Sequence, residues 1–171
     1  MVIFVLNTIF WFSLHFGIGF LFPILPKQLK DILCNKNRKF FSVSENEIKF
    51  YRKIHLHKWK DKLPQFNRGF NKRNLPNKVT EEYLELFIDV TCQAEIVHYI
   101  IIPIGYFSII FSLLTQNPEN WIYVFILIAT FIGLCNLIFS MIQRYNRFRL
   151  KKLLIKININ RVRTNQRITN D

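Results

Sequence analysis

The chain has 171 residues, 50% of them hydrophobic and 16% aromatic, with a mean hydropathy of +0.14, a balance too apolar for an ordinary water-soluble domain of this size. Its formal charge is +13, but the basic residues flank apolar stretches, so anionic lipid headgroups, and not nucleic acid, are the expected partner. No metal-ligand spacing, glycine-rich phosphate loop or G-x-S-x-G elbow occurs, which disfavours those enzyme classes and calls for neither metal nor cofactor.

Of 24 Lys and Arg, 15 lie in residues 26–95 and 9 in residues 143–171, leaving 1–25, 96–114 and 121–142 with none. Residues 1–25 also lack Asp and Glu. They read as an N-terminal transmembrane anchor or as a signal-like segment. The missing basic start and small-x-small cleavage site favour an uncleaved anchor, and Pro23 and Pro26 mark its end. Asn7, Ser13, His15 and Gly17 to Gly19 weaken its apolar character. Cys34, Cys92 and Cys135 are scattered and odd in number, and read as small apolar fillers.

Residues 26–95 form a basic cytoplasmic helical segment. Ser44 to Glu47 is an S-x-x-E capping box, and the run after it is expected to stay helical until Pro64, with Ile48, Tyr51, His55, Trp59 and Leu63 on one stripe. Lys49, Lys53, Lys58, Lys60 and Lys62 surround that stripe, as in a helix lying in the interface with its lysines snorkelling to headgroups. His57 and Asp61 stand one turn apart, a spacing open to a catalytic reading or to chance in so basic a helix. Asn67, Gly69, Asn71, Asn74, Pro76 and Asn77 predict a loop. Thr80, Glu81 and Glu82 then cap a helix that meets no breaker before Pro103.

Residues 96–142 read as a transmembrane hairpin. At about 1.5 Å per residue, 96–114 and 121–142 reach roughly 28 and 33 Å, enough to cross a hydrocarbon core about 30 Å thick. The link T-Q-N-P-E-N carries a single charge, Glu119, so the basic middle and the basic tail, 143–171, share a side that the positive-inside rule makes cytoplasmic. The expected fold is an all-α integral membrane protein, multi-pass in the cell membrane, with about three transmembrane helices plus cytoplasmic amphipathic interfacial helices.

In T-C-Q-A-E-I-V-H, Thr91, Glu95 and His98 share a helix face. A carboxylate one turn from an imidazole can fix its tautomer and leave the other nitrogen free to take a proton. The same residues can instead tie two helices together, or set a histidine at headgroup level. His98 lies 20 residues before Pro118 and Asn136 lies 18 after it, so an antiparallel hairpin brings the amide opposite the imidazole. Farther along the same side, Q-R-Y-N-R-F-R-L (143–150) sets Arg144 and Arg147 one turn apart. They serve either as positive-inside anchors or as forks for phosphate, carboxylate or a developing oxyanion.

The strings K-W-K-D-K-L-P (58–64), F-N-K (70–72), T-C-Q-A-E-I-V-H (91–98) and Asn136 followed by Q-R-Y-N-R-F-R-L together resemble the glycosyl-4,4'-diaponeurosporenoate acyltransferase family of small bacterial membrane proteins. The likeness covers roughly residues 45–154. It departs at Val90 and Gln93, where the family has an acid and an arginine, and at Ile138, where it has proline. The resemblance implies transfer of a fatty acyl group to a sugar hydroxyl of a glycosylated C30 carotenoid. Combined with the residues, it makes His98 the general base and Glu95 its orienting partner. Thr91, Asn136, Arg144, Asn146 and Arg147 would bind substrate, with Cys92 the one nearby nucleophile for a covalent route. The expected partners are the lipid-like glycosylated carotenoid, a fatty acyl donor (acyl-CoA, acyl carrier protein or phospholipid) and other carotenoid biosynthesis enzymes. The competing class is a non-enzymatic membrane scaffold that organises such enzymes.

Overall fold

The structure, a computed structural model, describes residues 2–63 and 79–168, and every regular element among them is helical. Pro64, residues 67–77, for which the sequence predicts a loop, and the F-N-K string lie outside the described residues. The α-helices are α1 (Val2–Ile24), α2 (Lys27–Leu33), α3 (Glu45–Lys53), α4 (Leu56–Trp59), α5 (Glu81–Gly105) and α6 (Pro118–Ile168). Among the described residues three stretches, Val2–Ile24, Glu81–Leu114 and Pro118–Arg163, are long and apolar enough to cross a membrane. The all-α membrane class expected from the sequence is therefore the observed one. The chain divides into two compact units: Met1–Cys34 with Gln93–Met141, and Asn35–Cys92 with Ile142–Asp171.

In the first unit aromatic rings stitch α1 to its neighbours. Phe4 meets Trp121 and Phe125 at 5.4 and 6.1 Å between ring centroids, and Phe10 meets Phe111 at 5.8 Å. Trp11, Ile101 and Ala129 form the buried centre. At Gly105 any Cβ would overlap the Trp11 ring, so α1 approaches the last turn of α5 as closely as a residue without a side chain permits. With Phe4 against Phe125 and, farther on, His15 near Asn136, α1 runs parallel to α6.

The 96–114 stretch is not one continuous α-helix. Pro103 sits inside α5 and has no N–H to donate, α5 stops at Gly105, and Tyr106–Leu114 winds on as a 3-10 helix. That tighter coil climbs about 2.0 Å per residue, so it covers more depth with the same chain. Tyr106 Oη lies 3.1 Å from Thr130 Oγ1.

In the second unit both predicted caps form. Ser44 Oγ accepts from the Glu47 N–H at 3.2 Å, and Thr80 Oγ1 from the Tyr83 N–H at 3.1 Å. The helix expected to run from the capping box to Pro64 is broken: His55 has φ 53°, in the left-handed region, and separates α3 from α4. The Ile54 and His55 N–H groups close α3 on the Phe50 and Arg52 carbonyls at 3.1 and 3.0 Å, a C-terminal cap that ends the helix within its own last turn. The stripe is consequently Ile48, Tyr51 and Leu56, all buried, while His55 is exposed. Lys60 does not snorkel outward as expected but is buried, with Nζ 2.7 Å from Asp61 Oδ1. His57 and Asp61 fall on different elements, α4 and the short 3-10 turn after it.

The core of this unit gathers Leu84, Phe87 and Ile88 from α5 around Leu150 of α6, with Leu153, Leu154 and Ile157 packed against them. The basic tail is thus helical through Ile168, because its apolar residues at three- and four-residue steps have a partner to cover them. At the rim, Lys36 Nζ lies 3.1 Å from Glu85 and 3.3 Å from Asp89.

Candidate functional site

His98, half-buried on α5, is the centre of the first unit's polar chemistry. Its Nδ1 lies 2.9 Å from Asn136 Oδ1, and its ring stacks on Phe139 at 5.3 Å with 14° between planes. Asn136 is buried on α6, its Nδ2 2.9 Å from its own helix's Ile132 carbonyl and 3.3 Å from His15 Nε2. His15 Nδ1 in turn lies 2.9 Å from the Trp11 carbonyl.

These contacts dictate the protons. A carbonyl only accepts, so the Asn136 atom facing Ile132 is the amide nitrogen, and the His15 nitrogen facing Trp11 carries hydrogen. Neutral His15 then accepts at Nε2 from the Asn136 NH₂ group. Asn136 Oδ1 is left as acceptor, and Nδ1–H of His98 donates to it. Neutral His98 consequently keeps its lone pair on Nε2, the form a general base needs. His98 and Asn136 meet as the hairpin register predicted. His15 carried no such sequence signal and had been read only as a polar weakness in the first stretch.

Glu95, also in this unit, is fully buried one turn before His98 on α5, but the group on His98 Nδ1 is the asparagine. A groove of about 330 Å³ bounded by α1 and α6 is lined by the apolar Phe4, Trp11, Phe12, Ile128 and Ile132 together with the polar Asn7 and Thr8. It shares Trp11 and Ile132 with the imidazole chain, so it lies next to that chain along both helices.

The remaining sequence candidates belong to the second unit. Arg144 forks onto Glu47 with Nε at 2.5 Å from Oε1 and Nη2 at 3.0 Å from Oε2, while Nη1 and Nη2 reach the Phe40 and Ser42 carbonyls at 2.9 and 2.7 Å. Burial alone would raise the Glu47 carboxyl's pKa; hydrogen bonds from Arg144 and Tyr51, with the guanidinium charge, outweigh it and hold the group below its ordinary range. Burial and the same carboxylate push the Tyr51 hydroxyl upward. Arg147, fully buried, donates from Nε to the Phe41 carbonyl at 3.0 Å with its guanidinium 5.2 Å from the Phe41 ring centre. Thr91 is buried and its hydroxyl donates to the Ile88 carbonyl at 2.6 Å. Asn146 and Cys92 are buried as well. The partners of the arginines, residues 40–42 and Glu47, were absent from the sequence-based list because their local pattern speaks only of a helix cap.

No group of three or more His, Cys, Asp or Glu suited to a metal ion occurs among the described residues. No curated protein and no solved structure matches the chain. A model of the glycosyl-4,4'-diaponeurosporenoate acyltransferase family matches residues 36–156, well over half the sequence and including α5 and most of α6. With that match joined to a half-buried imidazole held by an amide inside an apolar helical unit, the chain belongs to the glycosyl-4,4'-diaponeurosporenoate acyltransferase family.

Proposed function

We propose that this acyltransferase esterifies a sugar hydroxyl of a glycosylated C30 carotenoid with a fatty acyl group, as a multi-pass protein of the cell membrane whose basic segments face the cytoplasm. The single observation that carries the chemistry is the 2.9 Å approach of His98 Nδ1 to Asn136 Oδ1, from which a proton on Nδ1 and a lone pair on Nε2 follow.

In this reading His98 Nε2 removes the proton from the sugar hydroxyl as its oxygen attacks the acyl carbonyl. A new C–O ester bond forms, and the bond from the carbonyl carbon to the donor's leaving group breaks. The leaving group departs with the proton held by His98, which restores the neutral imidazole. Asn136 takes the orienting role that the sequence suggested for Glu95. The adjacent groove supports a substrate with a long hydrocarbon body, since its walls are mostly apolar and it lies on an apolar pair of helices. Arg144 is assigned to holding residues 40–47 in place and not to the oxyanion, because it already has four protein acceptors, and Arg147 is assigned to the same segment through its bond to the Phe41 carbonyl.

The test is product formation by purified protein in detergent with glycosylated carotenoid and, in separate reactions, acyl-CoA, acyl carrier protein or phospholipid as donor. A mass gain of one acyl group is expected with one donor, and His98→Ala should lower kcat about 10²- to 10⁴-fold. Full activity in that variant would remove the histidine from the mechanism. No product with any donor, yet restored pigment when partner enzymes are present, would favour a scaffold.

A further inference from the structure

The geometry points to His15 of α1 as a positioning residue that sets the tautomer of His98 through the Asn136 amide. This rests on the reading of His98 as the base, and it goes beyond the family match, which begins at residue 36.

An asparagine side chain can face its neighbours in two orientations that differ by a half-turn and exchange oxygen for nitrogen. With the oxygen toward His98, Nδ1 of that imidazole is protonated and Nε2 is basic. With the nitrogen toward His98, Nδ1 must accept, the proton moves to Nε2, and the base is lost. Two groups hold the productive orientation. One is the Ile132 carbonyl at 2.9 Å, a backbone group of the same helix. The other is His15 Nε2 at 3.3 Å.

His15 can accept there only because its own Nδ1–H is directed to the Trp11 carbonyl at 2.9 Å. Three successive hydrogen bonds therefore pass one proton assignment along: carbonyl to His15, His15 to Asn136, Asn136 to His98. Remove His15 and one of the two restraints goes, so the flipped amide gains population at the expense of the productive one. Outer hydrogen-bond partners that orient metal-ligating histidines typically carry about 10- to 100-fold in activity, and the lower end of that range is expected for a partner that orients a catalytic imidazole through one amide.

The experiment uses the full chain in detergent micelles, labelled with ¹⁵N-histidine. Resonances of His98 are assigned by their loss in His98→Gln, and its protonated and bare ring nitrogens are told apart by their shifts. Turnover is measured on the same samples. In the parent protein His98 should show Nδ1–H with a bare Nε2. His15→Leu, a substitution an apolar helix accommodates, should bring in the second tautomer and lower kcat about tenfold with KM unchanged. His15→Gln, whose Oε1 can accept from the Asn136 NH₂ group, should restore both.

Two results overturn the inference: an unchanged His98 pattern in His15→Leu, or a loss of turnover that His15→Gln does not repair while the nitrogen shifts stay put, which marks a merely structural role. A tautomer change without any change in turnover upholds the control by His15 and instead removes His98 from the chemistry.

Discussion

Asn136 Oδ1 sits 2.9 Å from His98 Nδ1, bridging two helices whose contributing residues are 38 positions apart in sequence. The bond is buried at the amide end, so its loss leaves a polar imidazole edge facing an apolar interior. Asn136→Leu keeps the volume and removes both the acceptor and the donor. Its kcat should fall by about 10²-fold, close to the lower limit for losing a general base, while the protein still inserts and melts cooperatively. A rate assay paired with a thermal scan in detergent separates the two effects.

Glu47 and Arg144 give the second unit an acid limit. The folded carboxyl ionises below its ordinary value of 4.5, so its contribution is fully present above that value and disappears as pH falls through the lowered one. Melting temperature should accordingly drop below about pH 4.5 in the parent and respond less in Glu47→Gln. Arg144→Ala, which strips two carboxylate and two carbonyl contacts, should cost about 2–3 kcal/mol at neutral pH by chemical denaturation.

Gly105 faces the Trp11 ring with no room for a side chain. Gly105→Leu should therefore displace α1, at a cost of about 1–3 kcal/mol, and activity should fall with it because Trp11 also bonds His15 through its carbonyl. Trp11→Ala in the same chain should recover part of the lost stability, a coupling that a double-mutant cycle on thermal midpoints reads directly.

Leu150 closes the apolar centre formed by Leu84, Phe87 and Ile88. Leu150→Ala should destabilise the second unit by about 2–5 kcal/mol. Limited proteolysis is the appropriate measurement, with faster cleavage expected after residue 142 than in the α1 segment.

What could be read from the sequence was what local pattern or simple counting determines. The absence of basic residues located three spans, two caps followed from Ser44 and Thr80, and counting from Pro118 paired His98 with Asn136. The rest depends on distant contacts or on backbone states without a signature. His15 and Asn136 are 121 residues apart, and a lone histidine in an apolar stretch looks the same whether or not it has a partner. His55 in the left-handed region is no glycine or asparagine, so nothing announced the break between α3 and α4. The Glu47–Arg144 fork joins residues 97 apart, and on the sequence each had a sufficient local explanation.

Because α1 supplies both the carbonyl at Trp11 and the imidazole at His15, domain borders taken from family similarity would cut through the hydrogen-bonded series proposed to set the His98 tautomer. A shortened chain beginning at residue 36 keeps the whole matched region and loses the outermost link of the hydrogen-bonded series. On the proposed mechanism, exchanging α1 between relatives would then alter the orientation of the Asn136 amide as well as the packing of the first unit.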